Sequence, residues 1–216
     1  MRENDLSVYL VTDNKLTLSR TVEEIVERAC SAGVRAVQYR DKESDDKEFV
    51  RRALKIREIT RRYNAALILN DRVHLVAEVQ ADGAHIGQKD ISLEEAKRAL
   101  GDDKILGVSF QRVEEAAEAE RLGVSYVALS PVFSTATKAD IDPPLGIEGV
   151  RKTAKIIKRT PIIAIGGINK DNAAEVVAAG ATGVAVVTAI TLAEDIEKAV
   201  KELRVAVTKG REVSEQ

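Results

Sequence analysis

The stretch PIIAIGGINKDNAAEVVAAGATGVAVVT, at 161–188, contains two short apolar runs separated by a segment with a helical pattern. The runs, 161–165 and 182–187, are rich in Val and Ile, which are typical of strands. A strand, a helix and a second strand in this order form the unit from which parallel sheets are built. The stretch therefore predicts an α/β fold.

The same alternation extends back to the start of the chain. Six further strand-like runs bring the total to eight, and they lie near 6–12, 34–40, 66–70, 82–86, 104–109 and 125–130. Between the runs the apolar residues recur with the helical period of 3.6, as at Val22, Ile25, Val26 and Ala29. Eight βα units in about 200 residues predict a single (β/α)₈ barrel, the TIM barrel.

An open, doubly wound sheet is the alternative fold. It usually has fewer strands and a Gly-rich loop after the first one, whereas YLVTDN at 9–14 contains no glycine. We expect one domain over 1–216, because no linker or break in composition divides the chain. The charged residues after Val207 predict a frayed tail over about 208–216.

Composition and charge exclude several classes of partner. The formal net charge is -2 with both signs interspersed, so no broad positive surface is expected for nucleic acid or for an anionic membrane. The N-terminus lacks an apolar leader and no run is long enough to span a bilayer, which predicts a cytoplasmic protein. Cys30 lies in a helical pattern and is expected to be a buried thiol. The oligomeric state stays open, and a homo-oligomer is compatible with the exposed helix stripes.

Barrel active sites lie at the C-terminal ends of the strands, so polar residues there are the candidates. On the second run Gln38 and Arg40 share one face, and Lys42 follows just beyond it. An Arg and a Lys at the barrel mouth suit a phosphate or diphosphate. The alternative is a solvated cluster of charges at a strand end.

Carboxylates follow the third and fourth runs, at Asp71 and Asp90. Mg²⁺ commonly binds one or two carboxylates together with substrate phosphates, so this pair predicts a magnesium site. The alternative is that both residues only cap the helices that follow. Of the two histidines, His85 is a candidate pocket residue and His74 is expected to be structural.

Further candidates follow the later runs. Ser109 is expected to donate a hydrogen bond, because no nucleophile motif surrounds it. The aperiodic segment from Pro131 to Gly146 contains three of the four prolines and predicts a binding loop or lid. Its polar residues could fold over an anion, with a lysine to neutralise a leaving group; they are Ser134, Thr135, Thr137 and Lys138.

The last two runs end in small residues, at Gly166-Gly167 and Val187-Thr188. Barrels often bind phosphate at this position through backbone N–H groups and a helix N-terminus. A simple turn is the alternative reading of the paired glycines. The chain therefore predicts two anion sites on opposite sides of one pocket.

These residues together resemble the thiamine-phosphate synthase family from about Tyr9 to Ile190. The matching pieces, in order, are VQYRDK at 37–42, ILND at 68–71, GAHIGQKD at 83–90, GVS at 107–109, STATKAD at 134–140, PPLG at 143–146, AIGGI at 164–168 and GVAVVTAI at 183–190. The resemblance implies a Mg²⁺-dependent transferase that joins 4-amino-5-hydroxymethyl-2-methylpyrimidine diphosphate to 4-methyl-5-(2-phosphoethyl)thiazole, or its carboxylated form. The products would be thiamine phosphate and diphosphate.

The resemblance also implies roles for individual residues. Arg40, Lys42, Ser109 and Lys138 would act in catalysis and, with Gln38 and Asn70, would bind the pyrimidine diphosphate. Asp71 and Asp90 would hold Mg²⁺, and the thiazole phosphate would lie against Thr135, Thr137, Gly167, Val187 and Thr188. The implied chemistry is dissociative, with diphosphate leaving before the thiazole nitrogen attacks.

The sequence departs from the family at two positions. Leu129-Ser130 replaces a Gly-rich pair near the expected pocket floor, and Thr188 replaces a serine. Two other functions fit the same barrel: a thiazole tautomerase of this family, and a non-catalytic module that binds thiamine phosphate. Neither needs the set of Arg40, Lys42, Asp71, Asp90 and Lys138.

Overall fold

The computed structural model describes residues 6–87, 90–112, 115–135, 137 and 143–214. All neighbouring strands are parallel, and they form a closed barrel in the order β1 to β8. The strands are β1 (Val8–Val11), β2 (Ala36–Tyr39), β3 (Ala66–Asn70), β4 (Gly83–Ile86), β5 (Ile105–Phe110), β6 (Tyr126–Leu129), β7 (Ile162–Ile165) and β8 (Gly183–Val186). The predicted eight-stranded barrel is confirmed, and the pairing of β1 with β8 excludes an open sheet.

Helices follow the strands around the outside. They are α1 (Val22–Ser31), α2 (Asp46–Arg62), α3 (Val76–Val79), α4 (Leu93–Leu100), α5 (Glu115–Leu122), α6 (Gly146–Ile156), α7 (Ala173–Ala178), α8 (Thr188–Thr191) and α9 (Ile196–Ser214). A capping box fixes the start of α4, where the Ser92 side chain accepts from the Glu95 N–H and the Glu95 carboxylate accepts in return. In the described part of the chain no helix combines the length and apolarity needed to cross a bilayer.

The buried side chains form two layers on opposite faces of the strands. Val37 and Tyr39 of β2 pack outward in the layer between strands and helices, where Cys30 is also buried. Ala36 packs inward, in a smaller cluster that fills the barrel with Tyr9 and Tyr126. The predicted alternation along β2 is therefore confirmed, and it turns the side chain of Gln38 toward the barrel interior.

The C-terminal segment, for which we expected fraying, is helical as far as Ser214. The helix packs closely on α7 at Gly210, because a Cβ there would lie 2.5 Å from the Ala174 carbonyl oxygen. At the next residue, Arg211 Nη2 donates to Ser7 Oγ and to the Thr182 carbonyl, each at 2.9 Å. Ser7 and Thr182 precede β1 and β8, so the end of α9 joins the two strands that close the barrel.

We expect Arg211→Ala to lower the free energy of unfolding by about 1–2 kcal/mol, because it leaves two hydrogen-bonding groups at the barrel closure without this donor. Chemical denaturation would measure the change. Lys209→Ala, an exposed substitution on the same helix, serves as the control and should lie within about 0.5 kcal/mol of the parent. Equal stability of the two variants would show that Arg211 does not stabilise the closure.

Candidate active site

A basic and an acidic side chain from neighbouring loops meet at the C-terminal mouth of the barrel. Lys42 Nζ, beyond β2, lies 3.4 Å from Asp71 Oδ2, which follows β3. The Asp90 carboxyl, beyond β4, lies close enough to Asp71 to raise the pKa of the Asp71 carboxyl. Asp90 is itself fixed locally, since its Oδ2 accepts from the Gly87 N–H at 2.7 Å. The structure thus brings together the three charged residues Lys42, Asp71 and Asp90.

The backbone and the surroundings of Asp71 are both unusual. Its φ of 61° lies in the left-handed region, and its N–H donates to the His85 carbonyl at 2.9 Å. Burial raises the pKa of the Asp71 carboxyl, the hydrogen bond and charge of Asp90 raise it further, and Lys42 acts in the opposite direction. Two carboxylates this close repel each other when both are ionised, and a bound cation would relieve that repulsion.

The donor set fits Mg²⁺ that is shared with a substrate. Among the described residues, no group of three or more His, Cys, Asp or Glu side chains is arranged to hold a metal ion. Asp71 and Asp90 alone are hard oxygen donors, and Mg²⁺ typically takes one or two carboxylates and completes its shell with phosphate oxygens and water. The two carboxylates therefore suit a Mg²⁺ ion whose other ligands come from substrate phosphate and water. They are too few for a site in which the protein supplies every ligand.

Arg40 lies on the neighbouring side of the mouth, paired with a residue that sequence reasoning missed. Its Nη1 donates to Asp13 Oδ2 at 2.9 Å, and its backbone N–H donates to Thr12 Oγ1 at 3.0 Å. Asp13 follows β1 and lies with Arg40 and Lys42 in the lining of one cleft. The polar residues after the first strand could have indicated Asp13 as a site residue, because the C-terminal ends of all strands in a barrel lie at the same rim.

Asp41 shapes the turn that carries Lys42. Its carboxylate accepts from the Glu43 N–H at 3.0 Å, from the Ser44 N–H at 3.1 Å and from Ser44 Oγ at 2.7 Å. Burial by itself would raise its pKa, but these hydrogen bonds and one from Asn14 outweigh burial and lower the pKa to about 2. Sequence reasoning missed Asp41 too, although an Asp that bonds the N–H groups following it is a recognised turn pattern.

The inward-facing candidates are joined through the barrel interior. Gln38 Nε2 donates to the Tyr9 hydroxyl at 3.0 Å, and the Tyr9 and Tyr126 hydroxyls are 2.8 Å apart. His85 contacts both Tyr126, through Nδ1 at 2.9 Å, and Ser109, through Nε2 at 2.7 Å. His85 is buried in the pocket wall, and Asn70 of β3 lies beside it in register.

The late strands place their candidates at neighbouring positions on the rim. Ile165 of β7 pairs with Ala185 of β8, and Gly167 and Val187 each come two residues later in the sequence, just beyond the ends of the two strands. The loop after β6 lies directly on the glycines, because a Cβ at Gly167 would be 2.6 Å from the Ser134 carbonyl oxygen. Thr135 Oγ1 in this loop accepts from the Thr137 N–H at 3.3 Å. Thr188 begins α8.

The family described as thiamine monophosphate synthase matches residues 8–190, from the first strand to the helix after the last. Among known proteins, the thiamine-phosphate synthase of Clostridium novyi (strain NT) is 43% identical over 196 residues, which cover 91% of this chain and 96% of that protein. This chain belongs to the thiamine monophosphate synthase family. The resemblance inferred from its motifs is confirmed.

Other members of the thiamine monophosphate synthase family agree in sequence and in structure. The thiamine-phosphate synthase of Chloroflexus aurantiacus is 41% identical over 208 residues, covering 96% of this chain and 95% of that one. A thiamine phosphate pyrophosphorylase structure from Pyrococcus furiosus superposes with a TM-score of 0.87 at 38% identity, covering 96% and 98% of the two chains. The family fold therefore extends over nearly the whole chain.

Leu129 and Ser130, at the end of β6, are the pair that we expected near the pocket floor. Leu129 belongs to the layer between strands and helices, whereas Ala128 faces the barrel interior. Only Ser130 therefore continues the inward face of β6. Within the loop that follows, residues 136 and 138–142 lie outside the described residues, and Lys138 is one of them.

The expectation that His74 is structural agrees with its contacts, although its side chain is exposed. His74 Nε2 lies 2.8 Å from Asp46 Oδ2 at the start of α2, and Arg72 also pairs with Asp46. Arg72 lies over the Phe49 ring, 4.6 Å from its centre. These contacts fix the segment after Asp71 against α2 and leave His74 outside the pocket.

We expect Asp41→Asn to lower the melting temperature by a few degrees at pH 7, because the ionised carboxylate is the better acceptor for the turn. Since folding lowers the pKa of Asp41 from 3.8 to about 2, its contribution is complete above pH 4 and is lost as the pH falls toward 2. Melting curves across this range should therefore show the difference from the parent shrinking. Asp103→Asn, at an exposed position, is the control. A difference that stays constant with pH would contradict the assignment.

Proposed function

We propose that this protein is a thiamine-phosphate synthase, a transferase that joins the pyrimidine diphosphate to the thiazole phosphate and releases diphosphate. The observation that carries the proposal is the meeting of Lys42, Asp71 and Asp90 at the mouth of a barrel from this family. The two relatives named above are both thiamine-phosphate synthases, and their matches cover more than nine-tenths of this chain. The carboxylated thiazole is an alternative second substrate.

In the proposed reaction, the bond between the pyrimidine methylene carbon and the diphosphate oxygen breaks first, and its electron pair leaves with diphosphate. The thiazole nitrogen then donates its lone pair to the methylene cation. Arg40 and Lys42 bind the departing diphosphate oxygens, and Lys138, which lies outside the described residues, would add a third positive charge for the leaving group. No protein nucleophile is required, so the rim accelerates the reaction through position and charge.

Asp71 and Asp90 would hold Mg²⁺ together with the diphosphate. When bound, the ion supplies positive charge that stabilises the leaving group. The Lys42 ammonium group, which follows β2, would add to this positive charge, since its Nζ lies 3.4 Å from Asp71 Oδ2. Gln38, Asn70 and Ser109 would orient the pyrimidine from the inner wall of the mouth.

The thiazole phosphate would bind on the other side of the pocket. Gly167 has a φ of 64°, and its missing side chain lets the loop that carries Thr135 and Thr137 pack directly against it. Val187 and Thr188 directly follow β8, the strand that pairs with β7. Backbone N–H groups and hydroxyls are suited to a phosphate monoester.

We expect purified protein to release diphosphate only when both substrates and Mg²⁺ are present, as measured by a coupled diphosphate assay. Omission of the thiazole phosphate is the internal control. Two other outcomes would replace the proposal. Tight binding of thiamine phosphate without turnover would indicate a binding module, and isomerisation of a thiazole without diphosphate release would indicate a tautomerase.

We expect Asp71→Asn and Asp90→Asn each to raise the Mg²⁺ concentration for half-maximal rate by about tenfold or more, because each removes one of two charged ligands. The rate would be titrated with Mg²⁺ at saturating substrate. Asp102→Asn, an exposed substitution between α4 and β5, is the matched control. Unchanged titrations for the two mouth variants would reject the metal assignment.

A further inference from the structure

Five polar side chains form a continuous hydrogen-bonded chain across the barrel interior, in the order Gln38, Tyr9, Tyr126, His85 and Ser109. The four successive distances are 3.0, 2.8, 2.9 and 2.7 Å. All but Ser109 are buried, and Ser109 is half-buried at the mouth. The proposed function uses the two ends of this chain as pyrimidine contacts and leaves the three middle residues without a role.

Tight packing fixes the middle of the chain. The Tyr9 and Tyr126 rings meet edge to face with centroids 5.7 Å apart, and the His85 ring stacks on Tyr126 at 5.6 Å. Gly107 of β5 makes room for this arrangement, because a Cβ there would lie 2.1 Å from the Tyr126 ring. The hydroxyls therefore have little freedom to seek other partners.

The chemistry of the first residue sets the direction of every bond that follows. The Gln38 amide nitrogen only donates, so the Tyr9 oxygen accepts and its own proton points to Tyr126. A Tyr126 hydroxyl that accepts from Tyr9 would donate onward to His85 Nδ1, 2.9 Å away, and would leave the ring proton on Nε2. Burial raises the pKa of both tyrosines, so their hydroxyls stay protonated at neutral pH.

The last bond completes the order. We propose that Gln38, Tyr9 and Tyr126 place the ring proton of His85 on Nε2, so that this N–H donates to Ser109 Oγ, 2.7 Å away. The hydroxyl proton of Ser109 is then directed away from His85, which makes Ser109 a hydrogen-bond donor to an acceptor atom of the substrate. Tyr9, Tyr126 and His85 are then positioning residues. The inference rests on the proposed function only for the identity of that substrate, the pyrimidine diphosphate.

The tautomer can be measured without any reaction. The chain has two histidines, so ¹⁵N-histidine labelling gives two ring systems, and His74→Asn assigns them. We expect the ring proton of His85 on Nε2, with Nδ1 unprotonated, in the substrate-free protein near neutral pH. A proton on Nδ1 would reverse the whole chain, make Ser109 an acceptor toward the substrate and overturn the proposal.

Removal of one hydroxyl tests whether the chain matters for turnover. In Tyr126→Phe the Nδ1 atom loses the Tyr126 hydroxyl as its donor, and the Ser109 hydroxyl can bond either tautomer. We expect a mixture of His85 tautomers and a fall of about tenfold in kcat/KM for the pyrimidine diphosphate, with KM for the thiazole phosphate unchanged. Retention of both the Nε2–H tautomer and the parent kcat/KM would overturn the proposal.

Thr153→Val is the matched control, because it also removes a buried hydroxyl, one that donates to the Gly149 carbonyl at 2.9 Å within α6. It should leave the His85 signals and the turnover unchanged. If Tyr126→Phe does not fold, Tyr9→Phe interrupts the chain one step earlier and should change both readouts in the same direction. A parent protein with the Nε2–H tautomer but no diphosphate release would reject the proposed function and leave the tautomer assignment intact.

Discussion

The pairing of β1 with β8 is the interaction on which the rest of the molecule depends. It closes a sheet whose strands all run in the same direction, so the residues after every strand come to one rim. Lys42, Asp71 and Asp90 follow three successive strands and meet there for this reason. The same closure explains why Arg211, near the far end of the chain, contacts residues that precede the first and the last strands.

Electrostatic balance is the second constraint on the rim. Arg40 and Lys42 each pair with a carboxylate from a neighbouring loop, Asp13 and Asp71 respectively. The Arg40 and Asp13 side chains are both largely buried, so each charge needs the other as a partner, whereas Lys42 is mostly exposed and depends less on Asp71. A diphosphate that binds Arg40 and Lys42 must share these cations with the carboxylates or displace them. A divalent cation on Asp71 and Asp90 would then balance the negative charge of the carboxylates.

The interior of the barrel serves a different purpose from the branched apolar packing typical of this fold. Two tyrosines cross it, and both hydroxyls find partners in a chain that ends at the mouth. Gly107 is needed there because the Tyr126 ring occupies the space of a side chain on β5. The core of the protein and the wall of its pocket are therefore one continuous structure.

The sequence by itself determined the number of strands, the alternation of Val37 and Tyr39 with Gln38, and the polar residues that follow the strands. Each of these depends on local periodicity, which a short stretch of chain records completely. It also determined the family, through motifs whose order is visible without coordinates. It did not reveal the contacts of Asp13 and Asp41 or those made by the end of α9.

Only the tertiary structure decided which polar groups meet. Tyr9 and Tyr126 are 117 positions apart, and Arg211 and Ser7 are 204 apart, so their contacts depend on the closure and the register of the barrel. No local pattern encodes that register. The helical end of α9 follows from the same cause, because a charged segment that looks exposed in the sequence is stabilised by partners at the opposite end of the chain.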